Sequence, residues 1–70
     1  MTQEQRVMAY MQDFGSISPM EAFSDLGITK LATVVSRLIH KRGESITKQL
    51  EYSTNRYGER VHYMRYRLGE

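Results

Sequence analysis

Ser18-Pro19-Met20-Glu21-Ala22-Phe23-Ser24-Asp25-Leu26-Gly27-Ile28-Thr29-Lys30-Leu31-Ala32 is the stretch on which the fold turns. It reads as a short helix, a glycine reversal and the start of another helix. Ser18 is a cap, Pro19 takes the first helical position, where its missing N–H costs nothing, and Glu21 completes a capping box. Met20, Ala22, Phe23 and Leu26 are expected to supply the buried side of roughly two turns. Gly27 permits the backbone reversal, and Ile28 tucks into the core behind it. So short a helix is unstable alone and must pack on its neighbours.

Downstream, Thr29 is expected to cap a helix that runs to about Arg42 and is closed by Gly43. Leu31, Val34, Val35, Leu38 and Ile39 share one face. The opposite face carries Lys30, Thr33, Ser36, Arg37, His40 and Lys41, and no acid. Surface helices usually mix signs for mutual support, so a face of bases and small hydroxyls is informative. It suits DNA. Thr33 and Ser36 let the backbone approach a groove, Arg37 can fork onto guanine, and Lys30 and Lys41 can reach flanking phosphates. The plainer readings are a solvated His40 and an Arg42 that stabilises the helix C-terminus.

Upstream, Val7, Met8, Tyr10, Met11 and Phe14 recur at helical spacing, which predicts a first helix over Thr2 to Phe14. Thr2 and Gln5 form a capping box, Gly15 is the stop, and Ser16-Ile17 is a short extended link. From Ser45 the period becomes two. Ile46, Lys48, Leu50 and Tyr52 alternate with Thr47, Gln49 and Glu51; after a turn over Ser53 to Glu59, His62, Met64, Tyr66 and Leu68 alternate with Val61, Tyr63, Arg65 and Arg67. This is a hairpin with one face on the helices. Both faces of its second strand carry aromatics, so the pattern leaves open which one is buried. Tyr52, Tyr63 and Tyr66 read as packing. Arg56, Tyr57 and Arg60 sit at the tip, where Tyr57 has little to pack on and either lies along a DNA backbone or is simply a turn residue.

Composition narrows the function classes. Seventy residues make one domain, spanning 1–70, with a small core. The absence of cysteine excludes disulfides and thiolate metal sites, and two histidines make no zinc site. The apolar runs are far too short to span a bilayer, and the polar N-terminus is unlike a signal peptide, so a soluble, cytoplasmic protein is expected. Residues 1–27 carry one base against four acids, and residues 28–70 nine bases against four acids, so a net −3 half joins a +5 half. That asymmetry is the signature of a face turned to a polyanion, although a solvated charged surface is equally compatible with it. No nucleophile–base pair, paired carboxylates or phosphate-cradling loop is present. A non-enzyme without cofactor or metal is expected.

The order helix, helix-turn-helix, hairpin resembles the α+β winged helix-turn-helix fold. It is most similar to a group of short phage-type winged-helix DNA-binding proteins, over Thr2 to Leu68. The residues that carry the likeness are Ile17 to Ala22, Leu26 to Ala32, Asn55 to Val61 and Tyr63 to Leu68. The resemblance implies that the helix after Leu26-Gly27-Ile28 enters the major groove and the wing grips the neighbouring backbone. Carried over by position, recognition falls to Thr29, Lys30, Thr33, Ser36, Arg37 and His40, and wing contacts to Arg56, Tyr57 and Arg60. One departure stands out. Simpler helix-turn-helix proteins place a small residue four before the turn glycine; here that residue is Phe23, with Ala22 five before Gly27, so the interhelix packing differs.

The expected function is a small phage or prophage protein that binds double-stranded DNA, regulating transcription or another DNA transaction in the host cytoplasm. One module of this kind offers roughly 600–1,000 Å² of interface, so tight binding calls for a homodimer, tandem sites or a partner protein. The alternative is a protein-interaction module that modulates a host protein, suggested by the small size and the negative first half. RNA is a weaker option, because the aromatics form no stacking sheet. If Arg65 and Arg67 join the helix bases in one patch, DNA is favoured; an exposed apolar patch on the sheet favours a protein partner.

Overall fold

The computed structural model describes residues 1–69, in the order α1 (Gln3–Phe14), β1 (Ser16–Ile17), α2 (Pro19–Leu26), α3 (Leu31–Arg42), β2 (Ile46–Thr54) and β3 (Arg60–Leu68). At the head of α1, Thr2 Oγ1 accepts from the Gln5 N–H at 3.1 Å and Gln5 Oε1 accepts from the Thr2 N–H at 2.9 Å. Only Val7 and Met11 of the apolar stripe are fully buried; Met8 and Tyr10 pack at its margin, and Phe14 is exposed against the Tyr10 ring. The stripe is narrower than its spacing suggests.

The cap of α2 forms in the same reciprocal way, Ser18 Oγ accepting from the Glu21 N–H at 3.3 Å and Glu21 Oε1 from the Ser18 N–H at 3.0 Å. Gly27 closes the helix at φ 70°, a left-handed conformation that glycine adopts without penalty. The Ile28 N–H then returns to the Ala22 carbonyl at 3.0 Å, and the Ile28 side chain is buried. The expected buried face of α2 needs correction. Ala22 is fully buried and Leu26 half-buried, but Met20 is 72 % and Phe23 58 % exposed. Phe23 lies roughly 100° round the wheel from Ala22, so a helix that approaches the core through Ala22 turns Phe23 outward. Ala22, five residues before Gly27, is thus the small contact residue.

Thr29 does not cap α3. The helix starts at Leu31, its N-cap is Lys30, and no side chain supplies a cap hydrogen bond. Residues 28–30 are spent leaving the Gly27 reversal, and the Lys30 carbonyl accepts from the N–H groups of Thr33 and Val34 at 3.1 and 3.3 Å. Leu31, Val34, Val35 and Leu38 are buried, and Gly43 ends the helix.

The three strands form an antiparallel sheet in the order β1-β3-β2. Ser16-Ile17 is therefore a strand and not only a link, with Ile17 opposite Tyr66. In the hairpin Ile46 faces Leu68, Lys48 faces Tyr66, Leu50 faces Met64 and Tyr52 faces His62. Opposed residues share a sheet face, which settles the ambiguity in the second strand. Tyr66, Met64 and Leu68 face the core, and Tyr63, Arg65 and Arg67 share the other face. Both strands outrun their expected ends: β2 continues through Thr54 and β3 opens at Arg60. The core draws Val7 and Met11 from α1, Ile17, Ala22 and Ile28, the α3 stripe, and Tyr66. Nine residues of strand reach about 30 Å, beyond that core, which leaves Leu50, Tyr52 and Val61 exposed on the wing.

Candidate nucleic-acid interface

The buried residues of α3 leave Thr33, Ser36, Arg37, His40 and Lys41 on the opposite side, all exposed. Their spacing of three and four makes one continuous stripe. Thr29 and Lys30 are exposed as well, but they precede the helix at its N-terminal end. His40, Lys41 and Arg42 fill the last turn, where cations oppose the negative end of the helix dipole.

The wing tip is built by Asn55. Its N–H donates to the Glu59 carbonyl at 2.9 Å, and its carbonyl accepts from the Gly58 N–H at 3.1 Å. Its side-chain Oδ1 accepts from the N–H groups of Tyr57 and Glu59, both at 3.0 Å. Gly58 takes φ 78°. This is the three-residue hairpin loop in which a left-handed residue follows a tight turn. Arg56 and Tyr57 occupy its two outermost positions, and Tyr57 is 80 % exposed. Arg60 is not at the tip itself. It opens β3 and lays its guanidinium over the Tyr52 ring at 4.8 Å, on the helix side of the sheet.

The cations divide into two kinds. Among the described residues the ion pairs involve only Arg65 and Arg67, so Lys30, Arg37, Lys41, Arg56 and Arg60 have no acidic partner. Arg65 donates through Nε to Glu51 at 2.9 Å and through one Nη to Glu21 at 3.1 Å and Ser16 at 3.0 Å. Tyr63 also donates to Glu51 at 3.0 Å. With Arg65 first and Tyr63 second, these bonds hold the Glu51 carboxyl below the usual carboxylate range. Arg67 donates to Gln49 at 3.2 Å and lies 3.9 Å from Glu51. Both arginines stand on the sheet face opposite Tyr66 and Met64, with Arg65 tied to the head of α2, so they do not extend the α3 stripe.

Three features that shape this surface were not evident from the local sequence. Tyr52 seats Arg60, Asn55 folds the tip, and the Glu51–Arg65–Glu21 network fastens β2 and β3 to the head of α2. Two-residue alternation could have shown Glu51 and Arg65 on one face; the role of Glu21 depends on tertiary contact.

Among the described residues, no group of three His, Cys, Asp or Glu side chains could hold a metal ion, and no helix is long and apolar enough to cross a membrane. A helix-turn-helix with an exposed, acid-free second helix, followed by a β-hairpin wing, is the arrangement of a winged helix-turn-helix. A family model for the winged helix-turn-helix domain matches residues 2–70. The chain belongs to that family, and membership points to DNA binding. Comparison with curated proteins and with solved structures finds no match.

Proposed function

We propose that the protein binds double-stranded DNA sequence-specifically, with α3 in the major groove and the wing on the adjacent backbone, as a small non-enzymatic regulator of transcription or another DNA transaction. Thr33, Ser36, Arg37 and His40 face base edges, with Thr29, Lys30 and Lys41 on flanking phosphates. Arg56, Tyr57 and Arg60 form the wing contact. On the resemblance to short phage-type proteins alone, we read the origin as phage or prophage and the setting as the host cytoplasm.

The observation that supports this reading is that, among the described residues, the cations on α3 and the wing have no acidic partner; Arg65 and Arg67, paired with Glu51 across the sheet, do not join them in one patch and so add nothing to it. The test is duplex affinity across a salt series. Arg37→Ala should cost about 1–3 kcal/mol and relax specificity at one base pair. Joint loss of Arg56 and Arg60 should weaken binding to all sequences and flatten the salt dependence by about two phosphate contacts. No binding at low salt, or none of it lost on removing all three arginines, would sink the proposal.

A second reading has its own support. Met20 and Phe23 are exposed beside Pro19, Ile28 and Thr29, around a shallow depression on α2. Apolar side chains of that size on a surface helix are what a protein partner would cover. Replacing both by serine leaves DNA affinity unchanged under the first reading and abolishes capture of a host protein under the second.

A further inference from the structure

The β2 edge carries an inference independent of DNA. Among the described residues, strand order leaves β2 with β3 on one side and no strand on the other. The hydrogen-bond phase of the hairpin is fixed at both ends, where Asn55 donates to Glu59 at 2.9 Å and Gly69 donates to Ser45 at 2.9 Å. Alternation between these pairs turns the backbone groups of Thr47, Gln49, Glu51 and Ser53 toward β3. The N–H and C=O groups of Ile46, Lys48, Leu50, Tyr52 and Thr54 therefore point outward, unpaired. On the same strand Leu50 is 47 % and Tyr52 57 % exposed. No proline or bulge blunts this edge, and Lys48 is its one charge on the helix side.

We propose that β2 pairs antiparallel with β2 of a second copy about a two-fold axis through Leu50, joining two sheets into one of six strands. The occupant follows from self-complementarity. Centred on Leu50, all nine residues pair, and every outward N–H meets an outward C=O. Leu50 then opposes Leu50, Lys48 opposes Tyr52, and Glu51 opposes Gln49; no like charges meet. Centring on Glu51 sets two carboxylates face to face, and centring on Lys48 two ammonium groups. Centring on Gln49 shortens the pairing and sets Lys48 against Leu50. The axis stands perpendicular to the sheet, so both helical layers lie on one side and the two wings point in opposite directions. One strand edge is narrower than a standard interface, so the dimer forms by mass action as concentration rises.

The chain contains no cysteine, so one introduced thiol reports only on its own position. Sedimentation equilibrium should show the mass rising from 8.2 kDa toward twice that value with concentration. Leu50→Cys should cross-link into a disulfide dimer many-fold faster than Gln12→Cys, which places the thiol on exposed α1. Leu50→Lys sets two cations opposite each other and should return the protein to monomer. A mass fixed at 8.2 kDa up to about 1 mM overturns the proposal. So does a dimer that Leu50→Lys leaves intact or that Leu50→Cys fails to trap. None of these measurements contains DNA, so their failure is separate from failure of the DNA reading.

Discussion

Replacing Arg65 by methionine keeps much of the side chain's stem and deletes the fork that joins β3 to Glu51 and to Glu21. Glu21 would lose its cation, and Glu51 would keep only the more distant Arg67 at 3.9 Å. Hydrogen bonds to charged groups of this kind are worth about 1–3 kcal/mol, and Arg65→Met should lose an amount in that range by chemical denaturation. The loss should also depend on pH. Glu51 is held below the ordinary carboxylate range when folded. Its contribution is therefore complete above the unfolded pKa of about 4.3 and disappears as pH falls through the lower, folded value. Glu51→Gln should flatten the stability curve across that acid window, and an unchanged acid limb would remove Glu51 from the account. Tyr10 predicts the opposite limb. Its hydroxyl donates to Asp25 at 2.6 Å, which pushes its pKa up to about 12. That contribution is complete below the unfolded value near 10 and is lost as pH rises through about 12. Tyr10→Phe should reduce the alkaline dependence, leaving the part due to Tyr66, whose burial also raises its pKa, and should leave the acid limb intact.

At the scale of elements, α2 and the wing turn depend on single residues. Ser18→Ala should cost about 1 kcal/mol, because the cap it removes also orients Glu21 for Arg65. Gly58→Ala meets no atoms within 4 Å, so its cost, about 1 kcal/mol, comes only from holding alanine at φ 78°. It should loosen the tip and weaken DNA binding while the far-ultraviolet helix signal stays unchanged. A fall in helix signal would mean that the wing and the helices are coupled more tightly than their contacts indicate. The elements were legible for the same local reasons: caps at Thr2 and Ser18, glycine stops at 15, 27 and 43, and a switch of period at Ser45. The errors arose where local signals compete with packing. Thr29 has cap chemistry, but the Gly27 reversal takes the residues that follow it. Met20 and Phe23 have core chemistry, but α2 meets the core through Ala22. Two-residue alternation could not choose the inner face of β3, because the choice is made by Ile17 pairing with Tyr66, 49 positions further along the chain. The candidate stripe on α3 was legible because its buried residues define it by exclusion. The acid network behind the wing was not, because Glu21 reaches Arg65 only once the fold has formed.

The whole molecule is a compact helical core with a long hairpin projecting from it, 39 Å in its greatest extent against 25 and 20 Å in the other two. The buried apolar residues lie in α1, β1, α2, α3, Ile28 and the C-terminal half of β3; none lies in β2 or the N-terminal half of β3. Stability should therefore be graded along the long axis, since amides open locally where few apolar contacts hold them. Native-state hydrogen exchange should find Met11, Val34 and Leu38 exchanging only by global unfolding, with Gln49, Glu51 and Ser53 at lower free energy. Within β2 the pattern should alternate, because the amides of Lys48, Leu50 and Tyr52 face outward and lack a strand partner in the monomer. These three should exchange fast in dilute solution and become protected as concentration rises, if two copies meet along this edge. Protection from added duplex should fall elsewhere, at the tip around Arg56 and Tyr57 and along α3. Equal protection of odd and even amides in dilute solution would show that the hairpin phase is wrong, and the self-pairing register would fall with it.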